Sequence, residues 1–123
     1  MTLTLSPIEQ AVVRHLRDLG LSCSTVVPSP RPSRFVVVER SGGSRRNLAQ
    51  SDPTLLVQCW GTTQADAWEV TKQAWQALAV ADETDLPLGV QVMRLSITEP
   101  ANYPDEASGT PRYTFMFTPT VNL

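Results

Sequence analysis

Few residues of this chain of 123 residues could carry out catalysis. Its one histidine, His15, falls within a predicted helix, on the polar side of an apolar stripe. No serine or cysteine near it in sequence belongs to a nucleophile motif, although a dyad formed by the tertiary structure stays open at this point. Gly42 and Gly43 are typical of a turn and not of a phosphate-binding loop, because no helix follows them. We therefore predict a solvated His15, no cofactor and no enzymatic activity.

A group of acids, which we name the acidic turn (residues 82–85), follows the end of a second predicted helix. It contains Asp82, Glu83 and Asp85. Acids are unfavourable at this position because the helix dipole is negative at its C-terminus. The carboxylates could bind a divalent cation through their oxygens, pair with an arginine of a neighbouring subunit, or be solvated. We predict no metal site and keep the three residues as candidates for an interface.

A second candidate group lies in and beside a predicted polar hairpin loop, residues 41–52. It consists of Arg45, Arg46 and Asn47, with Arg40 at the end of the preceding strand. These side chains could contact acids of a neighbouring subunit, contact phosphates of DNA in a channel, or be solvated. One loop offers few charges to DNA, so contact with protein is favoured over contact with DNA.

The charges are unevenly spread along the chain. Arginines cluster within residues 31–46, whereas acids such as Asp105 and Glu106 lie in the second half. A protomer with one basic and one acidic region could associate head to tail with its own copies. The formal net charge of −2 indicates neither nucleic acid nor a membrane as an obligate partner. No window approaches the roughly 18 apolar residues of a membrane span, and the first ten residues lack a signal-peptide pattern.

The two cysteines, Cys23 and Cys59, are too far apart for a metal-knuckle spacing and too few for a disulfide framework. We expect both to be reduced and in or near the core, where a thiol behaves as a small apolar group. This expectation fits a reducing compartment.

Two helices are predicted from residues typical of helix caps and from the helical spacing of apolar residues. The first covers residues 7–19, with Ser6 and Glu9 as a capping box and a stripe of apolar residues at three- and four-residue steps. The second runs from a cap at Thr62 or Thr63 to about residue 80, with Asp66 as the capping-box acid.

Five strands are predicted, at residues 24–27, 35–40, 54–60, 90–98 and 112–118. The fourth changes the phase of its alternation near Val92, which indicates a β-bulge or a strong bend. Pro119 is expected to end the last strand or mark a sheet edge. The loop at residues 99–111 is long and polar. The order α–β–β–β–α–β–β favours a single α+β domain over residues 1–123, with a mainly antiparallel sheet and two helices packed against it.

Aromatic residues leave two further alternatives open. Phe115 and Phe117 share a strand face with Tyr113, and this face could lie in the core or line a ligand pocket. Trp68 and Trp75 share a flank of the second helix and could cover the core or anchor an interface. The core is favoured in both cases.

The order of several short motifs resembles that of tail terminator proteins of long-tailed phages and prophages, especially those of actinobacterial hosts. The motifs are RFVVVER (34–40) with Gly42-Gly43, DPTLLVQCWG (52–61), an alanine-rich helix (65–78), Glu99-Pro100, Pro104-Asp105, Ser108-Gly109 and Pro111-Arg112-Tyr113 before an aromatic strand. The resemblance covers nearly the whole chain.

The resemblance implies a protomer that forms a hexameric ring at the head-proximal end of the tail tube. Such a ring stops polymerisation of the tube and offers a surface for head–tail joining. The implied partners are other copies of the chain, the major tail tube protein and a head–tail neck protein, with DNA only passing through the channel and no membrane. The implied location is the virion, assembled in the bacterial host cytoplasm. Alternatives are another neck or head-completion protein, or a small ligand-binding α+β domain.

Overall fold

The computed structural model describes residues 3–123. The helices are α1 (Ile8–Asp18) and α2 (Gln64–Ala79), and the strands are β1 (Cys23–Ser24), β2 (Phe35–Arg45), β3 (Gln50–Trp60), β4 (Val92–Ile97), β5 (Ala101–Asn102) and β6 (Arg112–Asn122). Two short 3-10 turns, Ala81–Glu83 and Pro87–Gly89, join α2 to β4. The predicted α+β class and element order are confirmed, with the short β5 added inside the predicted loop 99–111.

The strands form one sheet in the order β1-β2-β3-β6-β4, with β5 also paired to β6. All pairings are antiparallel except that of β1 with β2. On one face of the sheet, α1 packs on β1 and β2, and α2 packs on β3 and β6. We call this face the helix side and the opposite face the outer face. None of the helices within residues 3–123 is long and apolar enough to cross a membrane.

The alternation of β3 and β6 decides which side chains enter the core. Leu55, Val57 and Phe117 are fully buried on the helix side, and Phe115 is 2% exposed there. They form one cluster with the apolar stripes of both helices. The aromatic face of β6 therefore belongs to the core, so it gives no reason to expect a ligand pocket at this position.

The two predicted helix caps have different outcomes. Thr63 caps α2 as predicted, since its hydroxyl accepts a hydrogen bond from the Asp66 amide at 3.1 Å. The capping box of α1 is wrong: the Ser6 hydroxyl is buried and has no hydrogen-bond partner within residues 3–123, and Pro7 occupies the cap position. The Glu9 carboxylate instead forms an ion pair with Arg40 at 2.7 Å. A tertiary ion pair has thus replaced a local capping contact.

The predicted polar loop 41–52 is wrong in its extent, because β2 and β3 continue through most of it. The strands pair as far as Arg45 and Ser51, with a β-bulge between Arg40 and Gly42. Gly43 belongs to this ladder with a φ of +110°, and a Cβ atom there would lie 2.3 Å from the carbonyl oxygen of Asp52. Gly42 and Gly43 therefore do not form the predicted turn. They allow β2 and β3 to pair closely.

The expected end of β6 at Pro119 is also wrong. The strand pairs with β4 as far as Val121, and Pro119 itself stands opposite Leu95. The β3–β6 pairing is interrupted between Ser51–Val121 and Leu55–Phe117, where the same register sets Pro53 opposite Pro119. Neither proline has an amide hydrogen to donate. An interior strand tolerates Pro119 because the two prolines share one gap in the ladder.

Two further predictions concern β4 and α2. A register shift between Val92 and Arg94 confirms the predicted bulge. Trp75 is partly buried against the core, and its indole nitrogen donates to the Thr98 carbonyl at 2.9 Å. Trp68 is 40% exposed and contacts the Tyr113 ring with 5.2 Å between centroids. Of the two tryptophans predicted to cover the core, Trp75 does so and Trp68 does not.

Candidate interaction surfaces

The nine candidate interface residues lie mainly at the two ends of the sheet. Pairing of Gln50 with Asn122 marks one end, and pairing of Trp60 with Arg112 marks the other. The first, which we call the hairpin end, carries the β2–β3 turn (46–49) and the start of β4. The opposite, loop end carries residues 25–34 and 99–111. The structure therefore does not gather the candidates into one site.

Arg40 and Arg45 both point to the helix side, where they hold the N-terminal segment of the same chain. Arg40 donates to the Ser6 carbonyl as well as pairing with Glu9, and Arg45 donates to the Thr4 carbonyl. Their register partners, Leu55 and Ser51, fix this orientation. These two candidates thus have intrachain partners that the sequence reasoning did not foresee.

Arg46 and Asn47 belong to the turn itself. The Arg46 guanidinium forms an ion pair with Asp52 at 3.2 Å on the outer face. The Asn47 side chain donates to Gln50 at 3.1 Å and accepts from the Ala49 amide at 2.8 Å, so it stabilises the turn. Arg45 and Arg46, which are adjacent in sequence, therefore face opposite sides of the sheet.

A depression of about 350 Å³ lies beside this turn, and we call it the outer-face depression. Two arginines, Arg46 and Arg94, line it together with Asp52. Apart from Leu95, the remaining lining residues are small or carry hydroxyl groups: Gly43, Ser44, Thr54, Ser96, Thr118 and Thr120. It coincides with the gap in the β3–β6 ladder.

Side-chain hydrogen bonds bridge that gap. The Thr118 hydroxyl donates to the Thr54 hydroxyl at 3.2 Å, and the Thr120 hydroxyl donates to the Asp52 carboxylate at 2.5 Å. The hydrogen bond from Thr120, followed by the contact with Arg46, holds the pKa of Asp52 below its usual value. Asp52 is therefore ionised and already well supplied with donors.

The acidic turn lies at the hairpin end in the layer of the helices, directly after α2. Asp82, Glu83 and Asp85 are exposed. None of them forms an ion pair within residues 3–123. Within the same residues no group of three His, Cys, Asp or Glu side chains could hold a metal ion.

The acids of the loop end have a different setting. The Asp105 carboxylate accepts hydrogen bonds from the Ser108 hydroxyl at 2.8 Å and the Ala107 amide at 3.3 Å, and the first of these chiefly holds its pKa below the usual value. Glu106 beside it is exposed. Arg31 reaches the same loop through Ser108 at 3.4 Å. Because basic and acidic segments meet at each end, the charges do not divide the protomer into a basic and an acidic half.

An aromatic and arginine cluster on the outer face was missed by the sequence reasoning. Phe35 stacks on Trp60 with 4.7 Å between ring centroids. The Arg112 guanidinium lies 5.3 Å from the centroids of both Trp60 and Tyr103, and Arg31 lies 5.9 Å from that of Phe35. These contacts fasten both loops of the loop end to the sheet. Only the register, which sets Arg112 opposite Trp60, could have revealed them.

Among the described residues, 3–123, the remaining reactive groups form no catalytic arrangement. Cys23 and Cys59 are buried and free, and burial raises the pKa of each thiol to about 12. The two thiols are therefore protonated and poor nucleophiles at neutral pH. His15 is half-buried on α1 and makes no side-chain hydrogen bond within residues 3–123.

Comparisons with known proteins address the fold. No family model and no curated protein matches this chain. Among solved structures, it is similar to a chain of a structure titled "Virion of native gene transfer agent (GTA) particle", with a TM-score of 0.67 and 17% sequence identity. The match covers 94% of this chain and 95% of the other. The chain therefore shares its whole fold with a component of a gene transfer agent virion.

Proposed function

We propose that this protein is a structural, non-enzymatic virion component, a tail terminator that forms a ring on the head-proximal end of a tail tube. The observation that carries the proposal is the end-to-end likeness to a chain of a gene transfer agent virion. The ordered motifs in the sequence, which resemble tail terminators, support the finer assignment. Both observations span nearly the whole chain and concern the same single domain.

The surfaces support assembly in preference to catalysis. The described residues bring together no nucleophile and base, and the buried thiols are protonated. Each end of the sheet carries polar side chains on loops or turns, with different charges and shapes. A ring built from heterologous contacts needs two different surfaces on each protomer, and such surfaces are available here.

The proposal includes the partners and the location of the protein. Copies of the chain form the ring, most simply a hexamer, the major tail tube protein binds one side, and a head–tail neck protein binds the other. DNA passes through the channel without being an obligate ligand, and neither a cofactor nor a membrane is involved. The protein acts in the virion after assembly in the bacterial host cytoplasm.

The first test is light scattering of the purified protein over a wide range of concentration, with negative-stain imaging of the largest species. The expected result is a ring of six copies with a central hole, alone or after addition of the tail tube protein. Failure to bind tube ends or to limit tube length in a polymerisation assay would refute the terminator role.

Another neck or head-completion protein remains the second candidate, because the similar structure is a whole virion whose title names no position within the particle. Co-purification separates the two. A terminator binds the tail tube protein, whereas a head-completion protein binds portal-side proteins and leaves tube length unchanged.

A further inference from the structure

We propose that the outer-face depression of one copy receives the acidic turn of the next copy, and that this contact joins neighbouring protomers. The inference rests on the proposed function, since it names a contact within the ring. It commits to one occupant, a second copy of this chain, on the ground of charge complementarity between two surfaces of the protomer.

The depression provides donors for a carboxylate. Arg46 and Arg94 are exposed at its wall, and the hydroxyls of Thr54 and Ser96 line it. A guanidinium offers five N–H donors in a planar fork that matches a carboxylate in bidentate geometry. The chemistry of the depression therefore suits an acidic side chain.

Arg94 lies close enough to Asp52 to help Thr120 to lower its pKa, but it makes no direct contact with that carboxylate in the structure of residues 3–123. Asp52 is the single acid in the lining, and it is satisfied by Arg46 and by the Thr120 hydroxyl. Arg94 forms neither an ion pair nor a side-chain hydrogen bond within residues 3–123. An incoming carboxylate can pair with Arg94 without breaking an existing contact.

The acidic turn offers three carboxylates from a well-held backbone. Its flanks are anchored in the core, since Ala81 is fully buried and Leu86 is 4% exposed. The Glu83 amide also donates to the Val80 carbonyl at 3.0 Å. A turn fixed on both sides loses little conformational entropy on binding, which favours its use as a contact.

The positions of the two surfaces suit a head-to-tail contact. Both lie at the hairpin end, but the acidic turn belongs to the helix layer and the depression to the outer face. Two different complementary patches on a protomer produce a heterologous interface, which closes into a ring when the rotation between copies permits. Double-stranded DNA is a poorer occupant, because binding along its phosphates needs several cations and only two arginines line the depression.

The experiment compares two charge-reversal variants, Arg94→Glu and the triple variant Asp82→Lys/Glu83→Lys/Asp85→Lys, with the wild-type chain. Self-association is measured by sedimentation up to about 1 mM, where even contacts worth only a few kcal/mol are populated. Arg14→Glu is the matched control, since Arg14 is exposed on α1 and makes no ion pair within residues 3–123. Circular dichroism confirms that each variant is folded.

Each reversal is expected to weaken self-association by about tenfold or more, because it sets like charges against each other. Arg14→Glu is expected to associate as the wild type does. An equimolar mixture of the two reversal variants is expected to regain association, since each then offers the surface that the other requires. Only a direct contact between depression and turn predicts this recovery.

Three results would overturn the inference. They are a wild-type chain that stays monomeric at 1 mM both alone and with the tail tube protein, an Arg94→Glu variant that associates normally, and a mixture that does not recover. A variant that associates normally but loses binding to double-stranded DNA would assign the depression to phosphate. The terminator role is decided separately by tube binding of the wild type, so the two proposals can fail independently.

Discussion

Replacement of Phe115 by alanine tests the orientation of β6 and the location of the core. The ring is 2% exposed, stands opposite Val57 on β3 and belongs to the main core cluster. Truncation of a buried Phe to Ala costs about 3–5 kcal/mol, because transfer free energy is lost and a cavity remains. A domain of this size has a free energy of unfolding of about 5–15 kcal/mol, so the variant should lose about a fifth or more of its stability.

The assay is urea denaturation followed by tryptophan fluorescence, for which the 3% exposed Trp60 supplies a buried reporter. The midpoint should fall while the slope m stays the same, as expected for a change in stability without a change in the unfolded chain. Met116→Ala is the matched control, because Met116 is the next residue in the strand and is only half-buried on the outer face. A loss below about 1.5 kcal/mol for Phe115→Ala, or an equal loss for Met116→Ala, would refute the assignment of faces.

Thr63→Ala should lower the free energy of unfolding by about 1 kcal/mol through loss of the α2 cap, and an unchanged urea midpoint would contradict it. Because the folded-state pKa of Asp52 is depressed, first by Thr120, this carboxylate contributes stability above its ordinary pKa of 3.8, and that contribution is lost as pH falls through the folded-state value. Urea midpoints from pH 7 to pH 2 should therefore fall less steeply in Asp52→Asn than in the wild type. Identical dependence of the midpoint on pH in both proteins would contradict a depressed folded-state pKa of Asp52. With pKa values of about 12, Cys23 and Cys59 should resist a thiol reagent at pH 8 and react once urea unfolds the chain, whereas rapid labelling of the folded protein would show that they are accessible.

Local signals in the sequence predicted the fold well where no distant group competed with them. Thr63 and Asp66 form the α2 cap because both partners are three residues apart. The same reasoning at Ser6 and Glu9 was wrong, since Arg40 from β2 takes the Glu9 carboxylate. A charge-assisted hydrogen bond to a guanidinium is stronger than one to a neutral backbone amide, which favours the pairing of Glu9 with Arg40 over the local cap.

The candidate interface residues could be chosen from the sequence by charge and by their place in polar segments, but their orientation could not. Arg45 and Arg46 look equivalent in the sequence, yet strand pairing sets them on opposite faces of the sheet. Arg94 was not singled out, because nothing local shows that it lacks a partner. Such distinctions depend on the register, which long-range pairing sets.

The sequence by itself determined the α+β class, the order of the elements, the buried aromatic face of β6, and the scarcity of catalytic groups. These follow from periodicity and residue type, which act over a few neighbouring residues. Only the tertiary structure decided that Pro53 faces Pro119 across a gap in the ladder, that the gap becomes a depression lined by two arginines, and that the acidic turn lies at the same end on the opposite face. The physical reason is that each of these features joins segments distant in sequence, whose meeting depends on the packing of the whole sheet.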